Sequence, residues 1–187
     1  MADPFVSDRA RHPRGGAGRR TVGCMTTWSE FTAEAPRISE IFRRRHAATS
    51  NLCMLATLRS DGFPRISPVE PLIFEEKLVI VGMPGTTKFR DLARDPRFCL
   101  HTATEDTMVA DGDAKLFGLV IDDPDTALHA RFAEYLYEDN GLDLRNQPFE
   151  HFFVADLTSA SSVEVGDDLL RVTIWKPGEG ERVVEKR

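Results

Sequence analysis

The sequence predicts an antiparallel α+β barrel or sandwich, and three observations carry that expectation. About seven short apolar or alternating runs are separated by turn signals, helical periodicity appears in only three places, and there is no internal repeat. A chain of 187 residues with 41% hydrophobic content supports one domain with a sizeable core.

The first helical stretch is TTWSEFTAEAPRISEIFRRRHAATS (26–50), with Ser29 or Thr32 as the expected cap. Pro36 divides it, because proline fits a first turn but not a helix interior. Phe31, Ile38, Ile41 and Phe42 form its apolar side, and Arg43, Arg44 and Arg45 are expected to point round a solvated face. LCMLATL (52–58) reads as a strand buried on both faces. Asp61 and Gly62 supply the left-handed positions of a hairpin turn, and the chain returns as Pro64–Glu70. On that strand Arg65, Ser67 and Val69 share one face, while Ile66, Pro68 and Glu70 share the other. Its two prolines mark an edge strand or an interrupted ladder, with backbone groups free to meet something other than protein.

LVIVGM (78–83) is a further strand, followed by Pro84-Gly85-Thr86-Thr87-Lys88 and a helix through Arg94 that buries Phe89, Leu92 and Ala93. FCLHT (98–102) and KLFGLVI (115–121) return as strands. Asp122-Asp123-Pro124 opens a helix by acidic capping, with Leu128, Phe132, Tyr135 and Leu136 as its apolar stripe. FFVADL (152–157), SVEV (162–165) and LLRVTIW (169–175) complete the antiparallel series, with a turn at Gly166-Asp167-Asp168.

Charge and composition exclude several functions. Residues 1–24 carry five arginines against Asp3 and Asp8, a surplus of +3, which leaves −9 on the rest of a chain whose net charge is −6. An acidic body argues against nucleic-acid binding, which needs clustered positive charge. Residues 1–24 are rich in Arg, Gly and Pro and are expected to be a disordered extension before a single domain over 25–187, with Met25 as an alternative start. No run of eighteen apolar residues occurs, so no membrane span is expected. Arg19-Arg20 lacks a following apolar stretch and is not read as an export signal. Cys24, Cys53 and Cys99 form no CxxC, which fits a reducing cytoplasm. The five histidines fall at no zinc-ligand spacing, so no metal is expected, and no nucleophile–histidine arrangement emerges from spacing.

One segment carries chemistry. Gly85-Thr86-Thr87-Lys88 stands directly after a strand and at the start of a helix, where free N–H groups, two hydroxyls and an ammonium make an anion seat. It lacks the GxxxxGK[ST] loop of triphosphate hydrolysis.

Three segments, ATLRSDGFPRISPVE (56–70), TTKFRDLARDPRFCLH (86–101) and IWKPGEG (174–180), follow an order and spacing that resembles the pyridoxamine-phosphate-oxidase-like family and its actinobacterial flavin/deazaflavin oxidoreductase branches. The likeness spans roughly residues 28–185. It implies an α+β split β-barrel with flanking helices that holds FMN at a homodimer interface. The strand after the DG turn would line the isoalloxazine ring, often through its backbone, with Arg65, Ile66, Ser67, Pro68 and Val69. Thr86, Thr87 and Lys88 would form the phosphate seat, with Met83 at the end of the preceding strand. Two arginines of the family's phosphate shell are replaced by Ser67 and Thr87, and Arg65 or Lys115 could compensate. Trp175 lies on a strand that in relatives helps close the dimer and can reach the neighbour's cofactor, with a core or interface aromatic as the equal alternative. The oxidase's C-terminal arginine and histidine pattern is missing. The resemblance therefore implies an FMN-dependent oxidoreductase of a small-molecule substrate other than a true pyridoxamine-phosphate oxidase, with no catalytic side chain named. An F420-dependent reductase in the same groove is the alternative, and a non-catalytic flavin- or haem-binding protein is the alternative of another class.

Overall fold

The computed structural model describes residues 25–104, 108–109, 111–166 and 169–187. The expected extension over 1–24 and the turn residues Asp167 and Asp168 lie outside the described residues. Two helices, α1 (Trp28–Glu34) and α2 (Pro36–Ala48), open the fold. The strand pair β1 (Cys53–Leu58) and β2 (Pro64–Val69) follows, then β3 (Leu72–Phe74), β4 (Lys77–Ile80) and α3 (Thr87–Arg94). After β5 (Arg97–Thr102) and β6 (Asp113–Asp122) come α4 (Thr126–Asn140), β7 (Phe153–Gly166), β8 (Leu169–Lys176) and β9 (Gly180–Lys186).

All pairings are antiparallel, in the order β2-β1-β5-β6-β7-β4-β3. The long β7 makes the barrel split. One of its edges pairs with β6, while the other meets β4 at Phe153 and Val154 and β8 from Ala160 to Gly166. The sheet therefore forks at β7 and does not close. Between Phe117 and Gly118 the β6–β7 register shifts, leaving Thr158 as the extra residue of a bulge. Gly118 is required there, because a Cβ would lie 2.0 Å from the Asp156 carbonyl oxygen.

Each sheet face has its own covering. Cys53, Leu55, Phe98, Leu100, Ala114, Leu116, Leu157 and Ala160 point inward to Phe31, Ile38, Ile41, Phe42, Phe89 and Leu92 of α1, α2 and α3. The helix α4 covers the opposite face at the β4 end, packing Leu128, Phe132 and Leu136 on Val79, Phe152 and Val154. Among the described residues, no helix lies over the remainder of that outer face.

Several local expectations change. The first cap is Thr27, in a capping box with Glu30, since the helix begins at Trp28, ahead of the expected Ser29 or Thr32. In the hairpin turn Gly62 alone has positive φ, at 84°. Arg43 and Arg44 are exposed, but Arg45 is buried and donates to the Ala103 carbonyl at 2.9 Å. The strand β1 is fully buried on one face only. The apolar run 78–83 is strand only as far as Ile80, and α4 is capped by Asp125 instead of the Asp122-Asp123 pair. The runs 152–157 and 162–165 are one continuous strand, and β3 and β9 are additional.

Candidate functional site

The outer face of the sheet is the first component. Antiparallel register aligns Pro68, Met54, His101, Lys115, Ser161 and Ile174 in one row across six strands, and Ile66, Ala56, Cys99, Phe117 and Ser159 in the next. These side chains are half-buried or exposed, Ile66 at 68%. Val163, Val172 and Val184 extend the face onto the β8–β9 leaf. Among the described residues no second layer covers this largely apolar sheet face, and exposed apolar patches of that kind commonly mark interaction surfaces.

A polar cluster sits within it. The Lys115 ammonium lies 3.0 Å from one oxygen of Asp113, and His101 Nε2 lies 3.4 Å from the other. Burial opposes charge on Asp113, yet the hydrogen bonds from His101 and Lys115 prevail and hold its carboxyl below the usual range. His101 Nδ1 faces the Thr102 carbonyl at 2.5 Å. Burial pushes the Cys99 thiol up, with Lys115 partly opposing, and burial pushes Cys53 up to about 12. Neither cysteine has the thiolate character of a nucleophile.

The second component is the start of α3. Thr86 is its N-cap with extended backbone, but its hydroxyl makes no capping bond. That Oγ1 is shielded from solvent and has no hydrogen-bond partner among the described residues. Lys88 donates to the Pro68 carbonyl of β2 at 3.1 Å and stands 5.8 Å from the Phe89 ring centroid. The Gly85 N–H donates to the Glu150 carboxylate, and Met83 beside it is 77% exposed.

The two components are joined through Asp91. Its carboxylate is buried, accepting from Arg65 Nε at 2.6 Å, from Thr57 Oγ1 at 3.2 Å and from Arg94 at 3.2 Å. Burial alone would raise its pKa; the bonds from Arg65 and Arg94 outweigh that and hold it low. Arg94 also donates to the Leu58 carbonyl.

The residues singled out from the sequence thus divide. Ile66, Pro68 and Lys115 share the open face, and Thr86, Thr87 and Lys88 adjoin it at Pro68. Arg65, Ser67 and Val69 are on the inner face, opposite Thr57, Leu55 and Cys53. Trp175 is also inward and wholly buried, its ring edge-on to Phe31 with centroids 5.0 Å apart and its N–H 3.0 Å from Glu34. Sequence reading missed Asp91, Asp113 and Glu150. For Asp113 a signal existed, since it alternates with Lys115 on one strand face.

The sequence matches the profile described as pyridoxamine 5′-phosphate oxidase over residues 36–135. That is more than half of the chain, and the chain belongs to this family. No curated protein sequence matches it. Among solved structures, it is similar to a pyridoxamine 5′-phosphate oxidase-related FMN-binding protein from Nostoc punctiforme PCC 73102, with 11% identity over 81% of this chain and 96% of that one and a TM-score of 0.58. It is also similar to PhzG from Burkholderia lata 383, solved in complex with tetrahydrophenazine-1-carboxylic acid: 14% identity, 78% and 90% coverage, TM-score 0.53. A third similar structure is Campylobacter jejuni ChuZ, with 11% identity, 74% and 59% coverage and a TM-score of 0.55. At such identities the likeness establishes the fold, an α+β split barrel of the pyridoxamine-phosphate-oxidase type.

Proposed function

We propose that this chain is a cytoplasmic, homodimeric FMN-dependent oxidoreductase that acts on a small molecule and is not a true pyridoxamine-phosphate oxidase. The observation that carries the reading is the meeting of an anion seat with an open apolar sheet face at Pro68. The orphaned Thr86 hydroxyl, the N–H groups of α3 and the Lys88 ammonium suit a phosphate. The half-buried face over β1, β5 and β6 suits a flat ring that a second copy of the chain would cover. When bound, FMN supplies the electron chemistry. The protein's share is to seat the phosphate through Thr86, Thr87 and Lys88, to meet the ring with the backbone of β2 and to exclude water with residues such as Ile66 and Met54. No side chain is assigned acid or base work.

F420 in the same groove is the second reading. Ser67 and Thr87 stand where the family's arginines are expected, and Arg65 is engaged by Asp91, so the seat is short of positive charge for FMN. The absorption spectrum of the purified protein separates the readings: flavin bands support FMN, a Soret band supports the haem-binding alternative, and a colourless protein that takes up F420 supports the deazaflavin. FMN and F420 titrated separately into parent and variants test the seat. A charge-assisted hydrogen bond is worth about 1.5–3 kcal/mol, so Lys88→Ala should weaken binding ~10- to 100-fold, and Thr86→Ala less. Unchanged affinity of Lys88→Ala for both cofactors would remove the seat.

A further inference from the structure

We infer that Asp91 is a positioning residue that locks the phosphate seat to the ring-binding strand, and that Arg65 serves the ligand through Asp91 instead of touching it. This rests on the flavin reading above. A ligand with a phosphate at one end and a ring at the other needs its two subsites at a fixed separation. Here the subsites belong to different elements, the start of α3 and the strand β2, with the β3–β4 hairpin between them in the chain. Two side-chain contacts hold them together. One is Lys88 of α3 on the Pro68 carbonyl. The other, one helical turn further along, is Asp91 on Arg65 of β2, with Thr57 of β1 on the same carboxylate oxygen. Arg94 closes the second oxygen of Asp91 and reaches the Leu58 carbonyl at the end of β1. The carboxylate is thus satisfied from both strands of the hairpin and from its own helix, and it is buried at 4% exposure.

Orientation supports the assignment. Arg65 alternates with Ile66 and points to the inner face, away from the surface that carries Ile66 and Pro68, and its Nε faces Asp91. The two subsites act as a chelate only while their separation is fixed; without the lock, a two-ended ligand loses the advantage of binding both at once.

The lock and a simple charge effect predict opposite outcomes for Asp91→Asn. Asp91→Asn removes a negative charge near the seat, and Arg65→Gln removes a positive one. If these groups act on phosphate through their field, the first strengthens FMN binding and the second weakens it. If they act as a lock, both weaken FMN by about tenfold and leave riboflavin, which has the ring but no phosphate, within twofold of the parent. The experiment is fluorescence titration of the full chain with FMN, riboflavin and inorganic phosphate for the parent and both variants. F420 and its phosphate-free deazaflavin core replace the flavins if F420 is the ligand. A parallel fall in the FMN-to-riboflavin affinity ratio in both variants supports the lock; opposite shifts, or an unchanged ratio, overturn it. Failure of the parent to bind any of these ligands would refute the flavin reading itself. Should Asp91→Asn not fold, Asp91→Glu keeps the charge but misplaces it, and the same fall in the ratio is expected.

Discussion

The two faces of the sheet are built to different rules. The inner face carries Trp175 and is closed by α1, α2 and α3, which bring Phe31, Phe42 and Phe89 against it, all essentially inaccessible. The outer face, away from α4, has smaller apolar side chains at intermediate burial and a charged cluster of Lys115, Asp113 and His101 at its centre. Charges on a sheet face incur a large desolvation cost only when a second layer covers them, and among the described residues no layer lies over this cluster. The contrast separates the two faces: the inner one holds the fold, and the outer one is, among the described residues, left open for the ligand or partner proposed above.

The largest effect that would sharpen this contrast is on Trp175. As a fully buried core ring, Trp175→Ala should cost about 3–5 kcal/mol in a urea unfolding series. Trp175→Phe, which keeps most of the ring and loses the bond to Glu34, should cost about 1 kcal/mol and leave flavin affinity unaltered. A large loss of flavin binding in Trp175→Phe, with stability nearly intact, would move this residue from the core to the site.

On the outer face the ranking should reverse. Val172 lies half-buried on the leaf of β8, and Val172→Asp should change monomer stability by less than about 1 kcal/mol. If the face is where two copies meet, the same change should weaken self-association at least tenfold by sedimentation, because an unpaired carboxylate would be desolvated. A parent chain that is monomeric at micromolar concentration would break the comparison from the other side, by leaving the face to a ligand alone.

How far the sequence could be read follows the same division. Elements whose apolar residues face the core, such as β1, β5, β6 and the helix carrying Phe89 and Leu92, are visible because burial imposes a period. The strand β7 looked broken because Thr158, Ser159, Ser161 and Ser162 carry little apolar signal, although the backbone ladder runs on through them. The strand β9 does not stand out because GERVVEK reads as polar, being an edge strand whose partner among the described residues is β8. At the site, the Gly85-Thr86-Thr87-Lys88 segment that we propose as a phosphate seat stands out as a local pattern. The engagement of Arg65 was not, since its partner Asp91 is 26 residues away and the pairing exists only once α3 packs on the hairpin.

The smallest effect concerns His46, which belongs to the closed side. It is buried on α2, its ring is stacked on Phe42 with centroids 5.4 Å apart, and Nε2 lies 2.7 Å from the Pro71 carbonyl. Burial lowers its pKa, and the bond to Pro71 opposes that only in part. In the unfolded chain it titrates near the ordinary value of about 6.5. Between that value and the lower folded one, the unfolded chain binds a proton that the folded chain does not, so stability falls as pH is reduced through this window and levels off below it. Asp91 and Asp113 are depressed carboxylates, so their contributions hold above about 3.9 and are lost only in stronger acid. A comparison between pH 7.5 and pH 5.5 therefore reports chiefly on histidine. His46→Gln keeps a donor for the Pro71 carbonyl and cannot titrate. Its urea midpoint should fall less than the parent's over that interval; equal falls would mean that His46 accepts its proton without leaving the core, and that even the closed face has room for a charge.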